Sequence, residues 1–312
     1  MIPWGYRRAF RCCFLLFLLG TLIQLVFGPV PQHLLHYPWS VVAALVYVYA
    51  LVVVDFLSGK HPRLRRLSDP YNGFASIASF AGLCILFGLL PQSPDAGGPA
   101  ALLGWTDMRS CWAFNFLMLW MMTGIGLSVV SGIRSLKSRP LASTLSHLAV
   151  FLVLLGGFFG NGDKQEVLVR SERGIPVAIG EDGDGQSVQI PFMLLLDDFT
   201  IEEYPVDSLG GASAMGGMRF PKRFLSEVTI LTKEGRVPVE ISVNHPVRKG
   251  PWRIYQYGYD VSRGGESEYS DLLCVKDGWY PLIAGGLWLL LAAGLLMFFT
   301  AGGSRKKKEV KP

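Results

Sequence analysis

The stretch STLSHLAVFLVLLGGFFGNG, residues 143–162, indicates what kind of protein this chain forms. Its apolar run is long enough to cross a bilayer as a helix, which takes about 20 residues. Ser143 or Thr144 can cap such a helix at its start. One residue is out of place in the run: His147, about one turn into the predicted helix. The surrounding sequence narrows the functions that such a histidine can have.

Five further apolar runs resemble this one, and only 17% of the 312 residues are charged. A soluble protein of this length carries about 25% charged residues. The six runs lie near residues 9–28, 39–57, 73–91, 112–132, 143–160 and 280–301. The sequence therefore predicts a multi-pass α-helical membrane protein with about six spans.

Basic residues indicate the orientation of these spans, because Lys and Arg are concentrated in cytoplasmic loops. They cluster in the N-terminus, the second loop, the fourth loop and the tail: Arg7, Arg8, Arg11; Lys60, Arg63, Arg65, Arg66; Arg134, Lys137, Arg139; Arg305, Lys306, Lys307, Lys308, Lys311. The alternate loops, 29–38 and 92–111, contain one basic residue, Arg109. This predicts that both termini are cytoplasmic and that residues 161–279 lie outside. The net charge of +5 then reflects orientation in the lipid bilayer and indicates no nucleic-acid binding.

The chain divides at the boundaries of its polar stretch. We predict a bundle of five helices in residues 1–160, a β-rich extracytoplasmic domain in 161–279, a sixth helix at 280–301 and a basic cytoplasmic tail at 302–312. The polar stretch is rich in β-branched and aromatic residues that alternate with turn residues, which is typical of strands. Gly235 suits the left-handed position of a hairpin. A small antiparallel sandwich or open barrel is expected.

The run VPVEISVNH, residues 237–245, alternates apolar and polar residues. A period of two places His245 on the apolar face, at the point where Pro246 ends the strand. His245 could be a core histidine with a backbone partner or a cofactor-binding residue. The same periodicity predicts Tyr255, Tyr257 and Tyr259 on one face of a later strand.

His147 itself allows two interpretations. Ionisable groups at membrane depth usually face the bundle interior and have a function, whereas a histidine near a span's end can also lie at the interface with water. Asp55 is the only other acid in a span, which does not suit a proton relay, and catalytic zinc needs more ligands. One imidazole suits an axial ligand to haem iron. Gly156, Gly157 and Gly160 would admit either a flat ligand or a neighbouring helix.

Three segments carry a family resemblance: SCWAFNFLML at 110–119, LSHLAVFLVLLGGFFG at 145–160 and VNHPVRKGPWRIYQYGYD at 243–260. Together with the closing span, they cover roughly residues 105–300. In order, spacing and topology, this part of the chain resembles the ResB-like (CcsB-like) family of system II cytochrome c biogenesis proteins.

The resemblance implies a location in a bacterial inner (plasma) membrane and a function. Such proteins work with a CcsA/ResC-type membrane partner, carry haem b to the outer face and attach it to the Cys-x-x-Cys-His motif of apocytochrome c. This chain lacks the partner's tryptophan-rich segment, so it would be at most one half of a cytochrome c haem lyase. His147 would be an axial ligand to the haem iron.

Other residues have roles that stay open on the sequence alone. His33 and His36, in the first outside loop, could be outer haem ligands or simply solvated. Arg134, Lys137 and Arg139 could attract the haem propionates or only set the topology.

Three other functions remain. The chain could be a scaffold that binds no haem and stabilises its partner, or a transporter of another substrate. It could also handle thiols through Cys111 and Cys274, although these share no redox spacing.

Overall fold

The computed structural model describes residues 5–31, 36–93, 97–136, 140–183, 185–203 and 221–308. The chain forms two compact units. One comprises residues 1–163 and 279–312, and the other is the insertion 164–278. Each is described by itself below.

The first unit is helical. Its helices are α1 (Tyr6–Phe27), α2 (Trp39–Ser58), α3 (Pro62–Arg65), α4 (Pro70–Gly88), α5 (Pro99–Leu102), α6 (Trp112–Arg134), α7 (Leu141–Phe159) and α8 (Tyr280–Lys308). Six of them are long and apolar enough to cross a membrane, α3 and α5 being the exceptions. This fits the predicted class of a membrane protein with several helices and a β-rich domain.

The starts of two helices, α4 and α7, are determined by the residues directly before them. Asp69 caps α4, because its side chain accepts a hydrogen bond from the Tyr71 backbone N–H at 2.9 Å, and Pro70 occupies the first helical position. Helix α7 begins at Leu141 directly after Pro140. The predicted cap at Ser143 or Thr144 is therefore wrong. Proline has no backbone N–H group, and a residue at the start of a helix needs none, because no intrahelical carbonyl would accept its hydrogen bond. The helix can therefore begin immediately after Pro140.

Small residues let the helices approach closely, as is common in membrane bundles. A Cβ atom at Gly20 of α1 would lie 2.5 Å from the Ala113 backbone of α6. Gly156 of α7 and Gly160, directly after that helix, leave room for Ile283 and Trp279, whose atoms would lie 2.7 and 2.4 Å from an added Cβ. These two glycines therefore serve helix packing.

The insertion is a single antiparallel sheet of eight strands in the order β5-β4-β3-β2-β1-β8-β7-β6. The strands are β1 (Gln165–Glu172), β2 (Pro176–Glu181), β3 (Ser187–Glu203), β4 (Pro221–Thr232), β5 (Gly235–Ser242), β6 (Val247–Lys249), β7 (Trp252–Tyr259) and β8 (Tyr269–Lys276). Phe192 packs edge-on against Trp252, and Phe199 stacks on Tyr259. Because these rings join β3 and β7, which are far apart in the strand order, the sheet must fold over on itself around its apolar core.

His245 does not lie on the apolar face of a strand. Strand β5 ends at Ser242, and Asn244 has a left-handed φ of 68°. The His245 N–H donates to the Ser242 carbonyl at 3.0 Å, which closes a tight turn with the His245 side chain exposed. The predicted strand was too long because asparagine tolerates the left-handed region and can turn the chain there.

The predicted tyrosine stripe is also wrong. Tyr255 is paired with Leu273 and Tyr259 with Ser270, and the register shifts between Gln256 and Gly258. Since the pairing partners are three residues apart, Tyr255 and Tyr259 lie on opposite faces of the sheet. A β-bulge, which inserts one extra residue, reverses the alternation.

Candidate functional site

His147 lies in the second turn of α7 and is exposed. Its Nδ1 atom is 2.7 Å from the Ser143 carbonyl oxygen, one turn earlier in the helix. A neutral imidazole that donates its Nδ1–H to this carbonyl carries its lone pair on Nε2. Histidines that bind metals commonly donate their other N–H to a carbonyl in this way. The local geometry therefore prepares Nε2 to be a ligand.

A cavity of about 580 Å³ borders His147. It is formed by the segment before α4, the start of α4, the middle of α6 and the start of α7, and its lining is Leu67, Ser68, Asp69, Pro70, Gly73, Ile77, Gly124, Ile125, Ser128, Ser143, Thr144, Ser146, His147 and Val150. Sites for small molecules and cofactors usually measure about 300–1,000 Å³. The cavity is thus large enough for a cofactor-sized ligand.

The cavity walls combine apolar and polar side chains. Ile77, Ile125 and Val150 line it with apolar surface. Gly73 also lines it, and among the described residues no heavy atom lies within 4 Å of where its Cβ would be. The cavity thus offers a ligand one imidazole, some apolar surface, several hydroxyl groups and the open side of Gly73.

Asn72 contacts Leu67, which lines this cavity, and the sequence analysis did not identify it. Its Nδ2 donates to the Leu67 carbonyl at 2.9 Å, and its Oδ1 accepts from Trp120 Nε1 at 3.0 Å. The side chain is buried. Polar side chains often join helices in this way inside membranes. The feature of the sequence that could have identified Asn72 is that it is a single asparagine at the start of an apolar run.

A second cavity of about 660 Å³ adjoins the first, because both are lined by Ser68, Asp69 and Pro70. The second is rich in charge, with Arg65, Arg66, Arg134 and Asp55 among its lining residues. Arg134 Nη2 lies 2.8 Å from Asp55 Oδ2, and the Asp55 side chain is only 9% exposed. This ion pair compensates the charge of Asp55, the acidic residue that the sequence analysis found within a predicted span. Lys137 and Arg139 lie outside the described residues.

Asp163, at the other end of α7, is a further residue that the sequence analysis missed. Its carboxylate accepts hydrogen bonds from the Tyr37 N–H at 2.5 Å, Ser40 Oγ at 2.6 Å and Trp279 Nε1 at 2.7 Å. It therefore ties together the starts of α2 and α8 and the end of α7. The feature of the sequence that could have identified Asp163 is that it is an acidic residue shortly after an apolar run.

The structure does not bring His36 and His147 together. His36 is exposed and directly precedes Tyr37, which contacts Asp163 beyond the end of α7. His147 lies 12 residues before that helix ends at Phe159, which corresponds to about 18 Å along the axis. His33 lies outside the described residues. Among the residues that the structure describes, no group of three or more His, Cys, Asp or Glu could hold a metal ion.

Cys111 and Cys274 are both buried and not in disulfides. Burial raises the pKa of the Cys274 thiol to about 12 and also raises the pKa of Cys111. A thiol that stays protonated is a poor nucleophile. These two residues therefore do not support a thiol-exchange function.

Comparisons with known proteins agree with the family resemblance. Residues 137–275 match the model of the ResB-like family, which confirms the resemblance for that part of the chain, a shorter part than the 105–300 expected. Among solved structures, this chain is similar to a protein titled Cytochrome c Heme Lyase CcmF, with 16% identity and a TM-score of 0.34 over 84% of this chain and 46% of that one. The chain thus spans less than half of that protein. No curated protein matches it.

Proposed function

We propose that this chain, whose residues 137–275 match the ResB-like family, binds haem b as one subunit of a two-chain complex for cytochrome c biogenesis. The family match supports a role in cytochrome c biogenesis. In the proposal, a CcsA/ResC-type membrane protein is the partner. The complex carries haem across the bilayer and attaches it to the Cys-x-x-Cys-His motif of apocytochrome c.

The environment of His147 is the observation that carries this proposal. Its Nδ1 atom is engaged by the Ser143 carbonyl at 2.7 Å, which leaves Nε2 as the ligand atom, and the ring lines a cavity of about 580 Å³. Iron in haem takes an axial nitrogen ligand from histidine. In the proposal His147 supplies one axial ligand, and a histidine of the partner supplies the other.

The orientation predicted from loop charge puts His147 near the cytoplasmic face. Haem enters there, is held by the imidazole, and moves outward to meet the apocytochrome. Forming two thioether bonds requires free cysteines, reduced iron and a fixed haem orientation. The contribution of this chain is therefore mainly to bind and orient its substrate.

The exposure of His147 favours a second candidate, in which this histidine is interfacial and the chain is a scaffold for its partner without binding haem. The two candidates differ in a single observable, namely whether His147 alters the spectrum of bound haem.

The test compares full-length wild-type chain with His147→Gly, each purified with and without the partner, by the haem Soret band. We expect the substitution to remove or shift the band, and added imidazole to restore part of it. His61→Gly is the matched control, because His61 is exposed and directly precedes α3, so its replacement should leave the band unchanged. Absence of haem from both wild-type preparations, or normal cytochrome c maturation with His147→Gly, would contradict the proposal.

A further inference from the structure

The two cavities beside α6 are arranged as two parts of one larger site. Residues 68–70 line both, and α6 runs past both: Ser128 lines the cavity that contains His147, and Arg134 lines the cavity that contains the arginines. At 1.5 Å per residue, Arg134 lies about 9 Å beyond Ser128 along the helix axis. A ligand about 10 Å long would extend from one cavity into the other.

The two parts differ in chemistry. Five apolar side chains, five hydroxyl side chains, His147 and Asp69 line the first cavity, which has no lysine or arginine among the described residues of its lining. The second is lined by three arginines and two acids, Asp55 and Asp69, so its charge is positive. Guanidinium groups are planar donors that match carboxylates in a two-point geometry. The combined site therefore suits a molecule with a flat apolar body and acidic groups along one edge.

Arg134 is held in place before any ligand arrives. Its Nη2 atom contacts Asp55 Oδ2 at 2.8 Å, and that carboxylate is almost completely buried while the arginine side chain is 57% exposed. A guanidinium has five N–H donors, so this ion pair uses only part of its capacity. Positioning a side chain in advance reduces the entropy lost when a ligand binds.

We infer that the arginine cavity binds the carboxylates of the ligand whose flat body lies beside His147. The identity of the ligand rests on the proposed function: for haem, these groups are the two propionates. Arg65 and Arg134 are the residues that bind them, and Asp55 positions Arg134. The arrangement fixes which edge of the porphyrin faces the cytoplasmic loops, and hence the orientation in which haem enters.

Porphyrins without iron test this directly, because they separate carboxylate binding from ligation by His147. Protoporphyrin IX and its dimethyl ester differ only in whether the two carboxylates are free. Their affinities for the full chain in nanodiscs of zwitterionic lipid are measured by fluorescence titration. We expect the wild type to bind the diacid about tenfold more tightly than the diester.

The variants localise that preference. Arg65→Gln combined with Arg134→Gln should reduce it to within about twofold. The matched control is Arg63→Gln, since Arg63 is exposed on the same short helix and is not among the described residues that line either cavity. It should keep the full preference.

Three results would overturn the inference: equal binding of diacid and diester by the wild type, a preference that survives in the double variant, or an equal loss in Arg63→Gln. The first would show that the arginines do not bind the carboxylates of the ligand. His147→Gly keeps this test separate from that of the proposed function. If His147→Gly leaves the haem Soret band unchanged while the diacid preference still depends on Arg65 and Arg134, the ligand role of His147 fails and the carboxylate site stands.

Discussion

The two turns at the start of α7 border a cavity and expose His147, whereas its last turn is packed against α8 through Gly156 and Gly160. Beyond that last turn, Asp163 receives three hydrogen bonds from other segments of the helical unit. At the His147 end, by contrast, one face of α7 borders a cavity, where a Cβ atom at Gly73 would meet no atom of another described helix within 4 Å, while Thr144 on another face packs against Gly132. One helix thus has a tightly fixed end and an end with one face open to a cavity.

This difference indicates how a membrane helix can offer a binding site without losing its position. Close packing in a protein leaves no room for a ligand, so a site requires packing to be relaxed somewhere. In α7 the cavity lies at the end that has a potential ligand atom. Changes at the fixed end should therefore act on stability, and changes at the open end on binding.

The largest effect is expected at Asp163. Replacing it with Ala leaves the donors of Tyr37, Ser40 and Trp279 without their acceptor, and should lower the free energy of unfolding by about 3 kcal/mol. Chemical unfolding of the purified chain measures this. Asp163→Asn keeps one acceptor oxygen and should lose less. A stability of Asp163→Ala within about 0.5 kcal/mol of wild type would show that this end is not fixed by the carboxylate.

An intermediate effect is expected from enlarging Gly160. A Cβ atom there would lie 2.4 Å from the Trp279 ring and 2.5 Å from the Gly156 carbonyl oxygen, so Gly160→Val should cost about 2 kcal/mol through overpacking. Thermal unfolding is the measurement. Gly157→Val is the control, since no described heavy atom lies within 4 Å of a Cβ at that position. Equal losses in the two variants would contradict the packing argument.

The smallest effect is expected at the open end. Gly73→Leu should project into the cavity beside His147 and lower the affinity for haem about tenfold, with little change in unfolding. Gly82→Leu is a matched control on the same helix: its Cβ also meets no described atom within 4 Å, but Gly82 lines a different groove. Titration of haem by its Soret band compares them. Unchanged affinity in Gly73→Leu would place the ligand elsewhere.

The long helices could be predicted from sequence because their signal is local. An apolar run of about 20 residues is sufficient to predict a helix, and α6 does begin at Trp112. The β-rich character of residues 161–279 could be predicted for the same reason, since their residue composition is also a local signal. The ends and faces of the strands were harder, since alternation alone does not reveal the turn at Asn244 or the bulge between Gln256 and Gly258.

The candidate site was only partly predictable. His147 was identified because an imidazole in an apolar run is unusual. The cavity was not, because its walls come from segments far apart in sequence, such as residues 67–70 and Ser128. Asp55 was noticed as an isolated acid, but its pairing with Arg134 required the packing of α2 against α6. Sequence patterns indicate which residues are unusual, and the packing of distant segments determines what surrounds them.

The hydrogen bond between Trp279 Nε1 and Asp163 Oδ2 has a consequence for how this protein can be altered. The chain leaves the helical unit after Asp163 and returns at Trp279, so a side-chain hydrogen bond joins the two residues that flank the insertion. Domains are readily inserted where the chain ends lie close together. We expect residues 164–278 to be an exchangeable module: a short flexible linker could replace it, and the helices on either side would keep their anchor.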